Sequence, residues 1–565
     1  MLRKSTVDML AAVSVVLTLW GCTPVYWSTY RYDALRGGNQ PAVTALSDPK
    51  QVPKLAVKAT FPAGGSEGAG FLASPIVVGN RVYIGSLSGR FYALDATTLQ
   101  PIWQYPPAGQ QPLLGSCVGN PGNPNPTQSW GRYGIQSSAT YYKNAAGVSM
   151  VIFGASDPSA DSGQGSASLF ALNPDNGNLI WKSDVVAHLD GCTNPPLLTE
   201  RHERIAYSSP LVLDGVVYVG VHNSGDDPTQ RGSVAAVSAD TGHLIPGFTY
   251  FSVPAGAHGG GVWNSLAADP EGDVYFTTGN VRCNGVNCIP SDPAMDYSLS
   301  MVRIDPKTGG VSWHFQAVPF DLDDDPDWAA GVAIVQSSCG TMATSVQKDG
   351  WTYAVDTATG NCRWQFPPSA PSGCKFPSGG PHDHTDTDYK RPGAIWGDVL
   401  AITTGGESLV QDGVAAGYGR LHALNVCAAD ELHRVRWLLD VPNATLGGPS
   451  ADTGGIGGYA LGAPTVTGGI FYVTTDQGHL VALADPSVAP ASGYRCSNVD
   501  FTITQCTQAG FAVVPIPVVL ANVALPDASA TTAASAPAAM RNEPVLANGK
   551  VYVATPGGHV YMLSP

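Results

Sequence analysis

This chain is poor in charge. Asp, Glu, Lys and Arg together make up 13% of its 565 residues, with a net charge of -15. No tract of Lys and Arg occurs. Phosphate-reading surfaces need clustered cations, so nucleic acid is excluded as a partner. No Cys-x-x-Cys-His occurs, so no c-type haem is attached. The absence of any Cys-x-x-Cys argues against a zinc ribbon or a thioredoxin-like redox site. Nucleophile elbow, P-loop and dinucleotide glycine fingerprint are all missing. The apolar run Met9–Trp20 is too short for a comfortable membrane span.

What the chain does have is turns. With 66 Gly and 45 Pro, the composition is that of a turn-rich all-β protein, and its apolar content is too high for disorder. Arg3 and Lys4 precede the apolar run, which ends "LWGC". A small residue followed by Cys22 reads as a lipoprotein cleavage box, with residues 1–22 as signal and Cys22 lipidated. The plainer alternative is an ordinary secretory signal or a short anchor. Either way the expected location is the periplasm or cell envelope. Of eleven cysteines, setting Cys22 aside leaves ten, and export makes disulfides plausible. Cys283 with Cys288, and Cys496 with Cys506, are spaced for loop staples.

A repeat runs through the chain: Asp or Asn, seven residues, then Trp. It occurs as Asp95 and Trp103, Asn173 and Trp181, Asp305 and Trp313, and Asp356 and Trp364. Asn425 to Trp437 is a copy with an insertion, and one copy carries Pro246 in place of Trp. A turn such as "DNGN" or "ATGN" separates the two residues, with Gly supplying positive φ. A strand such as "RFYAL" comes before, and the Trp-bearing strand after. Each unit is a small meander that cannot bury its apolar face alone, so the units must stack. Eight units begin near Ser74, Ser137, Ser208, Ser265, Ala330, Ala394, Gly462 and Glu543. The last stops after about three strands, and the spare strand at Val52 to Pro62, near Val57, is placed to complete it. The expectation is an all-β, eight-bladed propeller of four-stranded antiparallel blades closed by that N-terminal strand. The repeated Trp residues are expected as packing between blades. The domain reading is a linker over 23–50 and one propeller over 51–565. Long loops at 106–136, 186–206, 281–296, 367–393 and 486–540 are where function is sought. The stretch 520–540 reads as low-complexity.

"SPIVVGNRVYIGSLSGRFYALDA" and "PVLANGKVYVATPGGHVYML" resemble the repeats of pyrroloquinoline-quinone (PQQ) proteins. These are eight-bladed propellers such as the quinoprotein alcohol dehydrogenases, and the nearest branch is polyvinyl-alcohol dehydrogenase. The resemblance implies PQQ and calcium as cofactors and an alcohol, small or polymeric, as substrate. With no haem motif, it implies a separate cytochrome or other electron acceptor. The rival is a non-catalytic propeller lipoprotein serving as a scaffold, because fold alone does not imply activity.

Several segments resemble site segments of that family. "VHNSGDDPTQRG" is similar to a calcium-binding turn before an Arg-Gly, which implies Asp226 and Asp227 as ligands. "HGGGVWNSLAADPEGDVYFTTGN" is similar to the stretch that supplies a Trp under the quinone and a calcium-binding Asn, implying Trp263 and Asn280. "VQKDGWTYAVDTATG" implies Lys348 at the quinone carbonyls, and "WGRYGIQSSATYY" implies Arg132 at its carboxylates. The general base falls on Asp296 or Asp292 in "PSDPAMDYSLSMVRID". Asp292 precedes Pro293, which biases it to an extended conformation; Asp296 abuts the following strand and is the choice. Beside the base, Asp296 also counts among the calcium ligands, with Asp226, Asp227 and Asn280. The chain departs from part of the family in having no adjacent Cys-Cys pair.

Each of these residues has a plainer reading. Trp263 fits core at the ring's mouth, Asn280 a turn cap, Lys348 a solvated hairpin and Asp296 an exposed loop. "DLDDD" fails as an EF-hand, since Pro326 stands where Gly is needed. "HDHTDTD", His382 to Asp388, fits a solvated loop better than a transition-metal site.

Overall fold

Strand, tight turn, strand is how each unit's alternation folds in the computed structural model. It describes residues 26–62, 67, 69–114, 134–157, 166–188, 203–205, 207–223, 231–255, 257–282, 297–317, 328, 330–347, 351–366, 374, 392–404, 410–411, 414–415, 419–430, 433–441, 462–475, 478–497, 503–508, 510–526 and 542–565. The first unit sets the pattern. Ile76–Val78, Arg81–Gly85, Phe91–Asp95 and Pro101–Tyr105 pair antiparallel in that order. Seven more such sheets follow, so the eight-bladed propeller is observed. Blades two to seven span 140–182, 211–251, 267–316, 333–366, 394–441 and 465–524. Blade eight has three strands from the C-terminus, Val545–Ala547, Lys550–Ala554 and Val560–Ser564. Its fourth is Ala56–Phe61, paired with Val560–Ser564. The spare strand closes the ring as its position near Val57 requires.

The core lies in the wedges between blades. One cluster of buried side chains joins blades one and two, and others join each following pair up to six and seven. The largest joins blades seven, eight and one. A single meander buries nothing; stacked, each face is covered by its neighbour.

The repeated Trp residues work as expected. Trp103, Trp181 and Trp313 each donate from Nε1 to a carbonyl on the next blade, at Pro174 (3.1 Å), Ala239 (2.9 Å) and Thr357 (2.8 Å). The repeated Asp caps its own turn. Asp95 Oδ1 accepts from the amides of Thr97 and Thr98 at 2.9 and 2.8 Å, and Asp305 and Asp356 do the same in their blades. Trp437 donates to the Asp485 carboxylate at 2.8 Å. Trp364 is buried with the Arg434 guanidinium 4.5 Å above its ring.

Two segments depart from the sequence reading. Residues 26–40, inside the stretch read as a linker, fill the axis of the ring. Ser28, Ala34, Leu35, Gly37 and Gly38 accept from the amides of Tyr141, Ala268, Ile334, Ile395 and Val466, each the second residue of an inner strand. Trp27 bridges Val77 in blade one, and Gln40 Nε2 donates to Leu546 in blade eight. Arg36 donates to the carbonyls of Leu266 and Pro210, and Arg31 to those of Gly393 and Pro464. Arg31 also pairs with Glu543 at 3.0 Å, both fully buried. Burial pushes the Arg36 guanidinium down to about 10 and raises the Glu543 carboxyl. This one segment therefore touches all eight blades.

The other departure is 486–540, read as a loop. It contains the outer strand of blade seven, Val518–Ala524. Ahead of that strand stands a hairpin, Gly493–Cys496 with Val513–Ile516, and a helical turn, Ile503–Gln508. The expected Cys496–Cys506 disulfide is present and staples this insertion. Two further disulfides join Cys339 to Cys427 and Cys362 to Cys374. Cys283 and Cys288 lie outside the described residues. Among the described residues no helix is long and apolar enough to cross a membrane.

Candidate functional site

The residues just before the inner strands of blades eight, one, two, three and four link one blade to the next. Two residues before the inner strand stands Ser74, Ser138, Ser209 or Ser265 in blades one to four. Their hydroxyls accept from the equivalent amide one blade back: Glu543 to Ser74, Ser74 to Ser138, Ser138 to Ser209, and Ser209 to Ser265, at 2.9–3.2 Å. Four residues before the inner strand stand Gln136, Tyr207 and Trp263, in blades two, three and four.

Blade four builds the most distinctive part of this region. The glycine run before Trp263 is zipped to the segment holding Asn280. His258 and Gly259 pair with Arg282 and Val281. The Gly260 amide donates to the Asn280 carbonyl, and the Gly279 amide to the Gly261 carbonyl. Trp263 and Asn280 are thus brought together. Gly259 and Gly260 are needed here, with φ of +89° and +65°. Blade three closes against them: Arg231 bridges Gly259, and the Gly232 amide donates to the Gly259 carbonyl at 2.8 Å. A Cβ on Gly232 would collide with the Gly260 carbonyl. The Arg231 guanidinium lies 3.9 Å over the Phe251 ring and donates to the Val253 carbonyl.

The Trp263 ring meets Tyr207 edge-on with centroids 6.4 Å apart, and Tyr207 stacks on His222 at 5.9 Å. Asn280 and His222 are buried. Asn264, next to Trp263, donates to Thr277 Oγ1 and to the Trp328 carbonyl, both at 3.1 Å. Blade five is thereby fixed to blade four.

Trp263 and Asn280 are the two sequence-expected residues that the structure places. Cys22, Arg132, Asp226, Asp227, Asp292, Asp296 and Lys348 lie outside the described residues. Among the described residues no group of three His, Cys, Asp or Glu side chains could hold a metal ion. Sequence reasoning missed Gln136, Tyr207 and His222. The offset of four residues shared by Gln136, Tyr207 and Trp263 is a signal that aligning the blades would have revealed.

This region fits a polar ligand. Gln136 Oε1, Ser137 Oγ and both polar atoms of the Gln347 side chain are buried with no hydrogen-bond partner among the described residues. Native proteins leave few such atoms unmatched, so each calls for a partner. Carbonyl, carboxylate and N–H groups on the edge of a flat heteroaromatic such as PQQ would match these atoms, and the aromatic surfaces would take its face.

The fold is an eight-bladed propeller with Tyr207, His222 and Trp263 in contact before the inner strands of blades three and four. The chain belongs to the PQQ family: the pattern described as "Glucose/ethanol/alcohol dehydrogenase, beta-propeller domain" matches residues 48–367. Among similar proteins, the quinoprotein alcohol dehydrogenase PedH of Pseudomonas putida is 24% identical over 339 residues, covering 54% of this chain and 49% of that protein. The dehydrogenase subunit of the quinone alcohol dehydrogenase of Gluconobacter oxydans is 25% identical over 327 residues, covering 51% of this chain and 38% of that one. The chain spans about half the length, or less, of these curated relatives. The quinohemoprotein alcohol dehydrogenase of Comamonas testosteroni superposes with a TM-score of 0.61 at 16% identity, over 95% of this chain and 80% of that one, a likeness of fold.

Proposed function

We propose that this protein is a PQQ- and Ca²⁺-dependent alcohol dehydrogenase of the cell envelope that passes electrons to a separate acceptor. The observation that carries the reading is the meeting of Trp263 and Asn280 on one glycine-built mouth in a PQQ-family propeller. Trp263 offers a flat face for the quinone. Asn280, with Asp226, Asp227 and Asp296, offers oxygen ligands of the kind calcium takes. Lys348 and Arg132 complement quinone oxygens and carboxylates. When bound, the cofactor supplies hydride acceptance, and the cation polarises the accepting carbonyl. Asp296 takes the alcohol proton on a carboxylate oxygen as general base, with Asp292 the other register. Cys22 carries the lipid that holds the protein at a membrane.

The test is direct. The purified chain is titrated with PQQ, with and without Ca²⁺, following quinone absorbance and tryptophan emission. A secondary alcohol and an artificial acceptor are then added. Saturable binding that strengthens with Ca²⁺, followed by acceptor reduction, is expected. A chain that binds no quinone is a scaffold instead.

A further inference from the structure

Gln347 follows the second strand of blade five, Gly340–Val346. Its backbone pairs with Trp328, five residues before the blade's inner strand Ala333–Ser337. Residues directly opposite in an antiparallel pair stand on the same face with Cβ atoms about 5 Å apart. That face is identified by its neighbours. Ala343 and Trp328 belong to the wedge cluster shared with blade four, whereas Met342 belongs to the wedge shared with blade six. By alternation Ser345 and Gln347 follow Ala343, and Ser345 Oγ donates to the Ala330 carbonyl on that side at 2.7 Å. The Gln347 amide and the Trp328 indole therefore share the wedge between blades four and five.

Both side chains are fully buried. Gln347 Oε1, Gln347 Nε2 and Trp328 Nε1 have no hydrogen-bond partner among the described residues. The Trp328 carbonyl is held by Asn264, and the backbone of Trp328 is thus tied to the residue that follows Trp263. A buried amide without partners is destabilising, and an apolar side chain of the same length would remove that penalty. Residues that cost stability in this way are expected where a ligand binds.

We propose that Gln347 and the Trp328 N–H form a ligand-contacting subsite in the wedge between blades four and five. It presents two kinds of donor and one acceptor, and so takes the edge of a planar heteroaromatic acid bearing an oxygen acceptor beside an N–H donor. The assignment rests on the quinone-binding reading above.

The experiment compares wild type with Gln347→Met. The PQQ dissociation constant is measured by fluorescence titration in Ca²⁺, and melting is measured without cofactor. Binding weakened at least tenfold, about 1.4 kcal/mol, together with cofactor-free melting no lower than wild type, is expected. Unchanged affinity overturns the subsite. So does lower melting, which would mean that the amide serves the fold, through an internal water for example. Should Gln347→Met not fold, Gln347→Glu, which keeps the size and one acceptor, is read the same way for affinity. Wild-type protein that binds no quinone defeats the function itself, whereas wild-type binding with an unaffected variant defeats only the role of Gln347.

Discussion

The indole N–H of Trp103 lies 3.1 Å from the carbonyl of Pro174, the residue after the turn-capping Asn173 of the next blade. Trp103, Trp181 and Trp313 are therefore each docked on the neighbouring blade's turn rather than their own. Asp or Asn sets the turn, Gly clears the space, and the preceding blade's Trp fills it. A Cβ on Gly177 would come within 2.7 Å of the Trp103 ring, one on Gly242 within 2.7 Å of Trp181, and one on Gly360 within 2.9 Å of Trp313. The eight-residue spacing thus encodes both the shape of a blade and its attachment to the next.

Trp181 and Gly242 should behave as one unit. Trp181→Ala empties a buried site and is expected to cost about 3–5 kcal/mol. Gly242→Ala pushes a methyl into the ring at a φ of +77°, at a cost of about 1–3 kcal/mol. With the ring gone the methyl has less to strike, so the double variant should lose less than the two single losses combined. Urea unfolding of the four proteins reads this coupling; strict additivity would mean that the contact is not what constrains Gly242.

How far the sequence carried is seen in particular residues. Blades were legible because alternation and the capped turn recur, and the closing strand at Ala56–Phe61 was legible because blade eight is one strand short. The axial segment was not. It follows no repeat, and the carbonyls that Arg31 and Arg36 bond are supplied only by the assembled ring. Val518–Ala524 was hidden because the stapled hairpin separates it from its partner His479–Ala484. Trp263 and Asn280 stood out through the resemblance of their segment to the family's site segment. Gln347 did not, since a Gln at a strand end usually faces solvent.

The Cys339–Cys427 disulfide should matter more than the other two that are described. It ties the first turn of blade five to blade six across 88 residues, against 12 for Cys362–Cys374 and 10 for Cys496–Cys506. Chain-entropy reasoning gives about 4–5 kcal/mol for a loop near 100 residues and about 3 for one near 15. Replacing each pair by Ser and comparing guanidinium midpoints should therefore show the largest loss for Cys339 and Cys427. Equal losses would point to local strain or packing as the controlling effect.

Asp485 supplies an acid-sensitive lock between blades six and seven. Burial works to raise its pKa, but bonds from Arg436, Ser487 and Trp437 outweigh burial and hold it at about 2, below the ordinary 3.8. The folded pKa is depressed, so the unfolded chain takes up the proton first as pH falls. The stabilisation, roughly 2 kcal/mol, is fully present above about pH 4 and is lost on falling towards pH 2. Urea midpoints of wild type and Asp485→Asn should thus be furthest apart near neutrality and converge over that window. A constant gap from pH 6 to pH 2 would show that the carboxylate's charge is not what the lock uses.

The general base should be Asp296 rather than Asp292. Asp296 is one peptide bond from Tyr297, whose carbonyl accepts from Thr278 Oγ1 at 2.6 Å. Thr278 lies two residues before Asn280, so this anchor sits beside the proposed calcium ligand. Tyr297 also meets the His314 ring edge-on at 5.2 Å, and Ser300–Ile304 follows as a paired strand. Asp292 is five residues from that anchor. A base must be held by rigid structure to abstract a proton reproducibly. Asp296→Asn keeps the size and removes the proton acceptor, so turnover with PQQ and Ca²⁺ should vanish. Asp296 is also proposed as a calcium ligand, but its amide retains an oxygen for the cation. PQQ affinity should then stay within about tenfold, or 1.4 kcal/mol. A dead Asp292→Asn beside an active Asp296→Asn would shift the base by four residues, and two active variants would place it elsewhere in the mouth.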